Sequence, residues 1–339
     1  MDDLALIGLD TSKHVFTLHG VDAAGRAVLR RELRRGQLEG FFGKLAPVEV
    51  ALETCGGSHH WGRRLMALGH RVRLIPAQYV KPFVKRGKND RVDAAAIAEA
   101  AQRPDMARVA VKSAEQQAQA MLLRTRELLV KQHTQTVNAL RGHAAEFGLV
   151  AAQGTGKVAG LLAAAADDPA VPAAAKALIA LLGQQVTHLD EQVEALDRQV
   201  LACHKTNPLS QLLAGVPGIG PLTAVSLALT VEAGQFASGR HFAAWLGLTP
   251  KQNSTGGKTR LGKISKAGNE RLRTLLVVGA TAVIRHARPG SRLATPWLLS
   301  LLGRKPKKLA AVALANKMAR IVWAMMTRGE AYRHQPVAA

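Results

Sequence analysis

Cysteine is almost missing from this chain of 339 residues: Cys55 and Cys203 are the only two, far apart in sequence. Two such thiols make neither a disulfide framework nor a zinc-ligand set, and the pattern suits a reducing cytoplasm. Aromatic residues are scarce as well, at 4%. No stretch approaches the roughly 18 uninterrupted apolar residues that read as a membrane span. The opening MDDLALIGLD lacks the basic segment of a signal peptide and runs straight into a plausible strand. A phosphate-cradling loop is missing too. GTGK at 154–157 fails the G-x-x-x-x-G-K-[ST] pattern, which argues against nucleotide hydrolysis.

The most informative scarcity is of acid in the last third. Residues 206–339 hold 19 Lys and Arg against 3 Asp and Glu, whereas residues 1–108 hold 18 against 12 and residues 109–205 hold 9 of each. The formal net charge of +22 is therefore concentrated at one end. Such a surface implies a polyanion, because neutralising phosphates releases counterions and drives association. A merely solvated basic surface is the plain alternative. An anionic membrane fits less well, since the basic segments are Gly-rich rather than amphipathic. With 47% apolar residues, the chain can bury a large core in two or three units.

Residues 4–9, 14–19 and 26–33 read as strands, with DAAG at 22–25 as the last intervening turn. A helix-like stretch at 37–45, the apolar run VEVALE at 48–53, a helix at 58–68, the strand VRLIP at 72–76 and a helix starting near position 90 follow. That order predicts an α/β domain with a mixed sheet. Ser113 with Gln116 forms a capping box ahead of a long helix reaching about Phe147. A loop rich in Ala, Gly and Asp then leads to a second helix, from about Ala173 to Cys203. Its apolar residues Leu182, Val186, Leu189, Val193, Leu196 and Val200 step by 4, 3, 4, 3, 4, the spacing of a coiled-coil seam. The two helices can pair with each other or with a second subunit; an antiparallel hairpin that also dimerises is the preferred reading. From Leu209 onward come Gly-rich turns, short apolar helices and basic residues. A last helix from about Pro306 to Arg328 is expected to bury Leu309, Val312, Ile321, Val322 and Met325. Three regions result: an α/β domain over 1–108, a helical coiled-coil middle over 109–205, and a small, mostly α domain over 206–339.

Four acids among these basic runs call for a reason. Asp10 ends the first strand and Glu53 ends the strand VEVALE, and functional groups gather at the carboxyl ends of strands in open α/β sheets. Asp90 and Asp93 lie three apart, hence on one face of a helix. Singly, each can be a cap or a surface charge; Asp90 in particular can be an N-cap. Jointly they predict a site for Mg2+ or Mn2+, where carboxylates and substrate phosphates share the coordination shell. Such ions activate a nucleophile and stabilise a phosphoryl transition state, so the predicted work is cutting nucleic acid.

LLAGVPGIGPLTAVSLAL at 212–229 looks like a helix-hairpin-helix, with Gly218 and Gly220 offering backbone amides where the next helix begins. A tight helical turn without a ligand is the alternative. In LGLTPKQNSTGGKTRLGKISKAGNERLRTLL at 246–276, Lys251, Lys258, Arg260, Lys263, Lys266, Arg271 and Arg273 accompany a single acid, Glu270. Ser254 precedes a Gly pair there. Its hydroxyl is either a nucleophile activated by metal and cations or a turn residue bonded to nearby backbone. Thr255, Ser265 and Ser58 compete for the nucleophile's role. His59–His60, the one adjacent histidine pair, reads as structural.

Together these blocks resemble the DEDD-type transposases of bacterial insertion sequences over almost the full length. IGLDTSK, ALETCGG and KNDRVDAAAIA match the D, E and D-x-x-D blocks of that family, and no acid of the pattern is missing. GVPGIGPLTA and AAWLGLTPKQNSTGGKTRLGKISKAGNERLR match its C-terminal signature. The resemblance implies an RNase H-like (RuvC-like) catalytic fold, a dimerising helical middle, and recombination of donor DNA into target DNA at the bacterial nucleoid. It also implies guidance by a structured RNA from the element, and a serine from the C-terminal domain, here Ser254, that holds a strand end covalently. Two rivals remain. A Holliday-junction nuclease would use water instead of Ser254, and a non-catalytic nucleic-acid scaffold would not need Asp10.

Overall fold

The structure, a computed structural model, describes residues 3–85, 89–288 and 290–333. The chain divides into two compact units after Gln117.

The first unit is built on β1 (Leu6–Thr11), β2 (Val15–Val21), β3 (Ala27–Arg34), α1 (Leu38–Phe42), β4 (Glu49–Glu53), α2 (Ser58–Ala67), β5 (Arg71–Ile75), α3 (Ala77–Val80) and α4 (Asp90–Ala101). One mixed sheet runs in the order β3-β2-β1-β4-β5. β1, β4 and β5 are parallel, and β2 and β3 are added antiparallel. Side chains alternate between the faces of a strand, and β1 shows what that does. Ile7 and Leu9 pack on one side with Phe16, Leu18, Val50, Leu52 and the α1–α2 residues Leu38, Phe42, Trp61 and Leu65. Leu6 packs on the other side with Val21, Ala51, Ile75 and the α4 residues Ala96, Ile97 and Ala100. With apolar neighbours on both faces, the parallel strands read as continuous hydrophobic runs. This five-stranded mixed architecture is consistent with a nuclease-like domain.

In the second unit, α5 (Ala114–Ala145) opens on the expected capping box. The Ser113 N–H donates to Gln116 Oε1 at 3.0 Å, and the Gln116 N–H donates to Ser113 Oγ at 3.1 Å. α6 (Val158–Asp167) lies in the segment that composition assigned to a loop. The run VAGLLAAAAD has high helix propensity and buries Val158, Leu161 and Ala165, so packing turns it into a helix. α7 (Ala173–Thr206) lies antiparallel to α5: Arg126 pairs with Asp197 and His133 with Asp190. On α7, Val186, Leu189 and Val200 are buried, while Leu182, Val193 and Leu196 are only partly so. Ile179 and Val186 join α5 and α6 in a three-helix cluster instead of one continuous two-helix seam.

The basic end comprises α8 (Pro208–Leu213), α9 (Pro221–Thr230), α10 (Gly239–Trp245), β6 (Pro250–Gln252), β7 (Leu261–Ile264), α11 (Glu270–His286), α12 (Pro296–Arg304) and α13 (Lys307–Arg328). Phe242, Leu246, Leu276, Met318 and Val322 sit at its core. α13 buries Val322 and Met325 as expected, but alanines and Met318 complete the covered stripe in place of Leu309, Val312 and Ile321. Ala310, Ala311, Ala315, Met318, Ala319, Val322 and Met325 are buried, whereas Leu309 is 52% exposed and Val312 and Ile321 are half-buried. Small side chains let a helix approach its neighbours closely, and here they decide which stripe is covered. By length and composition alone α13 could cross a membrane, yet this stripe belongs to the core.

Candidate metal centre and the serine hairpin

The register of β1 and β4 sets Leu9 opposite Leu52, so Asp10 and Glu53 are the next positions on two parallel neighbours. Alternation places Asp10 on the face of Leu6 and Gly8, and Glu53 on the face of Ala51; both faces look toward α4. Gly8 permits the contact. A Cβ there would run into the Ala94 carbonyl and lie 2.6 Å from the Ala98 nitrogen, so α4 rests directly on β1. Asn89, not Asp90, caps α4: its Oδ1 accepts the Val92 N–H at 2.9 Å. Asp90 and Asp93 are thereby left in the first turn with no capping duty. Asp10, Asp90 and Asp93 each offer an oxygen, and the three lie within 4.8 Å of one another. Glu53 stands outside that trio but close enough to act on it electrostatically.

Crowding like charges at a half-buried site has a cost that appears as altered acidity. Asp10 is pushed up to about 6, first by burial and then by Asp90, Asp93 and Glu53, while a hydrogen bond from the Thr11 backbone opposes the shift. Glu53 is raised by burial and by Asp93. A cation would supply the missing countercharge, and an all-oxygen donor set suits a hard divalent ion.

Ser254 lies in the second unit, in the loop joining β6 to β7, where Pro250 pairs with Ile264 and Gln252 with Leu261. Its Oγ accepts the Arg260 N–H at 3.1 Å, the local backbone bond expected of a turn residue, and the side chain is exposed. Lys251, Lys258, Arg260, Lys263 and Lys266 are exposed on the same hairpin and its flank. Arg271 is half-buried, with Nη1 3.9 Å from Glu127 Oε2, and burial lowers its pKa.

Arg273 departs from the nucleic-acid-facing set in which its charge had placed it. It is buried, and its Nη1 donates to the Leu246 carbonyl at 2.9 Å and the Ala267 carbonyl at 2.8 Å. It braces the root of the hairpin. Among the competing hydroxyls, Ser58 is buried and donates to the Cys55 carbonyl at 3.0 Å. Ser265 is half-buried and accepts the Ala267 N–H at 3.4 Å; Thr255 is exposed and bridges to Lys258. His59 Nδ1 accepts the Lys112 N–H at 3.1 Å, a structural use.

Gly218 and Gly220 sit in a helix, glycine turn and helix. Gly218 has φ +87°, and a Cβ on it would lie 2.7 Å from the Gly279 carbonyl, so this glycine is needed for a backbone crossing with α11. Gly220 flanks the N-terminus of α9 and has open space where a Cβ would be.

An acidic cluster where strand ends meet a helix, followed by a strongly basic helical unit, suits an enzyme that works on nucleic acid, and the comparisons define which. Residues 7–148 match the DEDD transposase model of the IS110 group, and residues 210–295 match the model for the transposase IS116/IS110/IS902 family. The chain belongs to that transposase family. It is 51% identical to a Sinorhizobium fredii protein named as a transposase, over 98% of this chain and 87% of that one. It is 47% identical to a Pseudomonas aeruginosa protein named as a family 20 transposase, over 98% and 99%. Identity to the transposase for insertion sequence element IS1111A of Coxiella burnetii is 39%, over 98% and 92%.

Proposed function

We propose that this insertion-sequence transposase exchanges DNA strands through Ser254, with Mg2+ or Mn2+ held by Asp10, Glu53, Asp90 and Asp93 in an RNase H-like domain. The approach of Asp10, Asp90 and Asp93 to within 4.8 Å carries the reading. Bound there, the ion would polarise a phosphoryl oxygen and lower the barrier to displacement at phosphorus. Asp10, pushed up to about 6 by burial and by three other acids, is still mostly ionised near neutral pH and would gain from a cation's charge. Ser254 Oγ forms a bond to phosphorus as the P–O bond to the departing sugar oxygen breaks. The proton lost by the serine balances the one gained by the leaving hydroxyl. Attack on the phosphoserine by a sugar hydroxyl of another strand reverses the chemistry and rejoins DNA without net hydrolysis. Lys258 and Arg260 flank the serine and suit the phosphate charge that builds up there. Lys263, Lys266, Arg271 and the Gly218–Gly220 turn extend the phosphate-binding surface.

Donor and target choice is assigned to a structured RNA encoded by the element, and the helical hairpin of α5 and α7 to a dimer or higher oligomer. The resemblance of the motif blocks and the basic C-terminal third support both. The test is recombination between supercoiled donor and target DNA by wild type, Asp10→Ala and Ser254→Ala. Both variants should give no recombinant, and denaturing gels should show a strand trapped on the wild type alone. Cutting by Ser254→Ala would replace the serine with water as nucleophile. Sequencing of co-purified nucleic acid tests the RNA.

A further inference from the structure

A groove of about 1050 Å3 in the second unit lies between α13, the start of α10, α12 and the root of the β6–β7 hairpin. Trp297, Leu309 and Val312 give it an apolar floor, and Arg240, Lys317 and Arg320 give it cations; no acid is among its lining residues. Trp297 is 38% exposed, so part of its indole faces the groove. Lys317 Nζ lies 4.3 Å from the centre of that ring, close enough for a cation–π contact. Burial and, after it, the neighbouring Arg320 depress the Lys317 pKa, a crowding of positive charge that a bound anion would relieve.

An aromatic face beside unbalanced cations calls for a ligand that is itself a flat ring on an anionic chain. Duplex DNA hides its base faces in the stack, whereas an unpaired strand offers both ring and phosphate. The groove also has a direction. Pro250 and Ile264, paired across the hairpin, line it, and the loop of that hairpin carries Ser254. We infer that this groove holds a single-stranded DNA segment, with a base packed on Trp297 and its phosphates on Arg240, Lys317 and Arg320, beside the serine hairpin. The inference rests on membership of a DNA-cleaving family and on the groove's chemistry, not on Ser254 being the nucleophile.

The experiment therefore excludes catalysis. Full-length protein in EDTA is titrated by fluorescence anisotropy with a single-stranded oligodeoxynucleotide, its duplex and the ribonucleotide of the same sequence. Trp297→Ala should weaken single-strand binding by roughly tenfold, Trp297→Tyr should keep most of it, and duplex binding should change less than about twofold. A 5-bromodeoxyuridine strand should photocrosslink to the wild-type peptide containing Trp297, a readout that needs no variant to fold. Undiminished binding by folded Trp297→Ala, an equal loss for duplex, or crosslinks mapping outside the groove would each overturn the inference. So would Trp297-dependent binding that favours the ribonucleotide, since RNA would then be the occupant.

Discussion

Asp10 and Asp93 hold carboxylate oxygens within 4.8 Å of each other, one at the end of a strand and one in the first turn of a helix. The Asp93 carboxylate is one of the groups that make Asp10 harder to ionise. A cation placed there would compete with the proton for Asp10, and that competition is open to measurement.

The first prediction concerns pH. Asp10 moves from an ordinary 3.8 to about 6 in the folded chain. Between those values the folded, metal-free protein keeps a proton that the unfolded chain releases, so this group's contribution to stability falls as pH rises through the window. Asp10→Asn removes the effect. The Tm of metal-free Asp10→Asn minus that of wild type should grow from roughly pH 4 to pH 6 and then level off. Added Mg2+ should raise the Tm of wild type at pH 7.5, progressively less below about pH 6, and should not raise that of Asp10→Asn. A flat difference across the window would show that Asp10 titrates normally.

The second concerns Gly8. A methyl at this position meets the backbone of α4, so Gly8→Ala should destabilise the protein by about 1–3 kcal/mol through overpacking. It should also push α4, and with it Asp90 and Asp93, away from Asp10. Mg2+-induced stabilisation is then lost beyond what the lower Tm explains. Gly40→Ala is the control: it sits in α1 with open space around it and should be neutral or slightly stabilising. Equal metal responses in both variants would mean that the strand–helix gap does not set the site.

The third separates two arginines that sequence alone treats alike. Arg273→Met strands the buried Leu246 carbonyl and frees the partly buried Ala267 carbonyl, and should cost about 1–3 kcal/mol in urea unfolding, while leaving the salt dependence of DNA binding nearly unchanged. Arg260→Gln, at an exposed site, should do the reverse. Stability should hold, and the slope of log K against log salt should fall by about 0.9 for one lost phosphate contact. If both variants change the slope equally, Arg273 is not the brace described above.

Strands β1, β2 and β4 were legible because their apolar runs are short, punctuated and largely buried, and β3, mostly exposed, because a turn precedes it. From that order alone Asp10 and Glu53 could be placed at strand ends. What no local pattern conveys is which neighbour a residue meets. Asn89 takes the cap that Asp90 could have taken, and Gly8 is a packing requirement visible only once α4 lies on β1. Composition made α6 a loop, since an Ala-rich segment becomes a helix only when other helices cover it. On α13 the expectation held for Val322 and Met325, while the alanines that allow close approach, and not Leu309, Val312 and Ile321, complete the buried stripe. Arg273 was counted with its neighbours because charge is written in the sequence and a carbonyl partner is not.

The distance between β1 and α4 is fixed by a missing methyl group at Gly8, not by any connecting segment. Insertions in the exposed turns of the first unit leave that distance alone, whereas the smallest possible enlargement of one strand residue alters it. The spacing of Asp10 from Asp90 and Asp93 is thus tied to how closely a strand and a helix can touch, and a change of one carbon atom at Gly8 reaches all three acids.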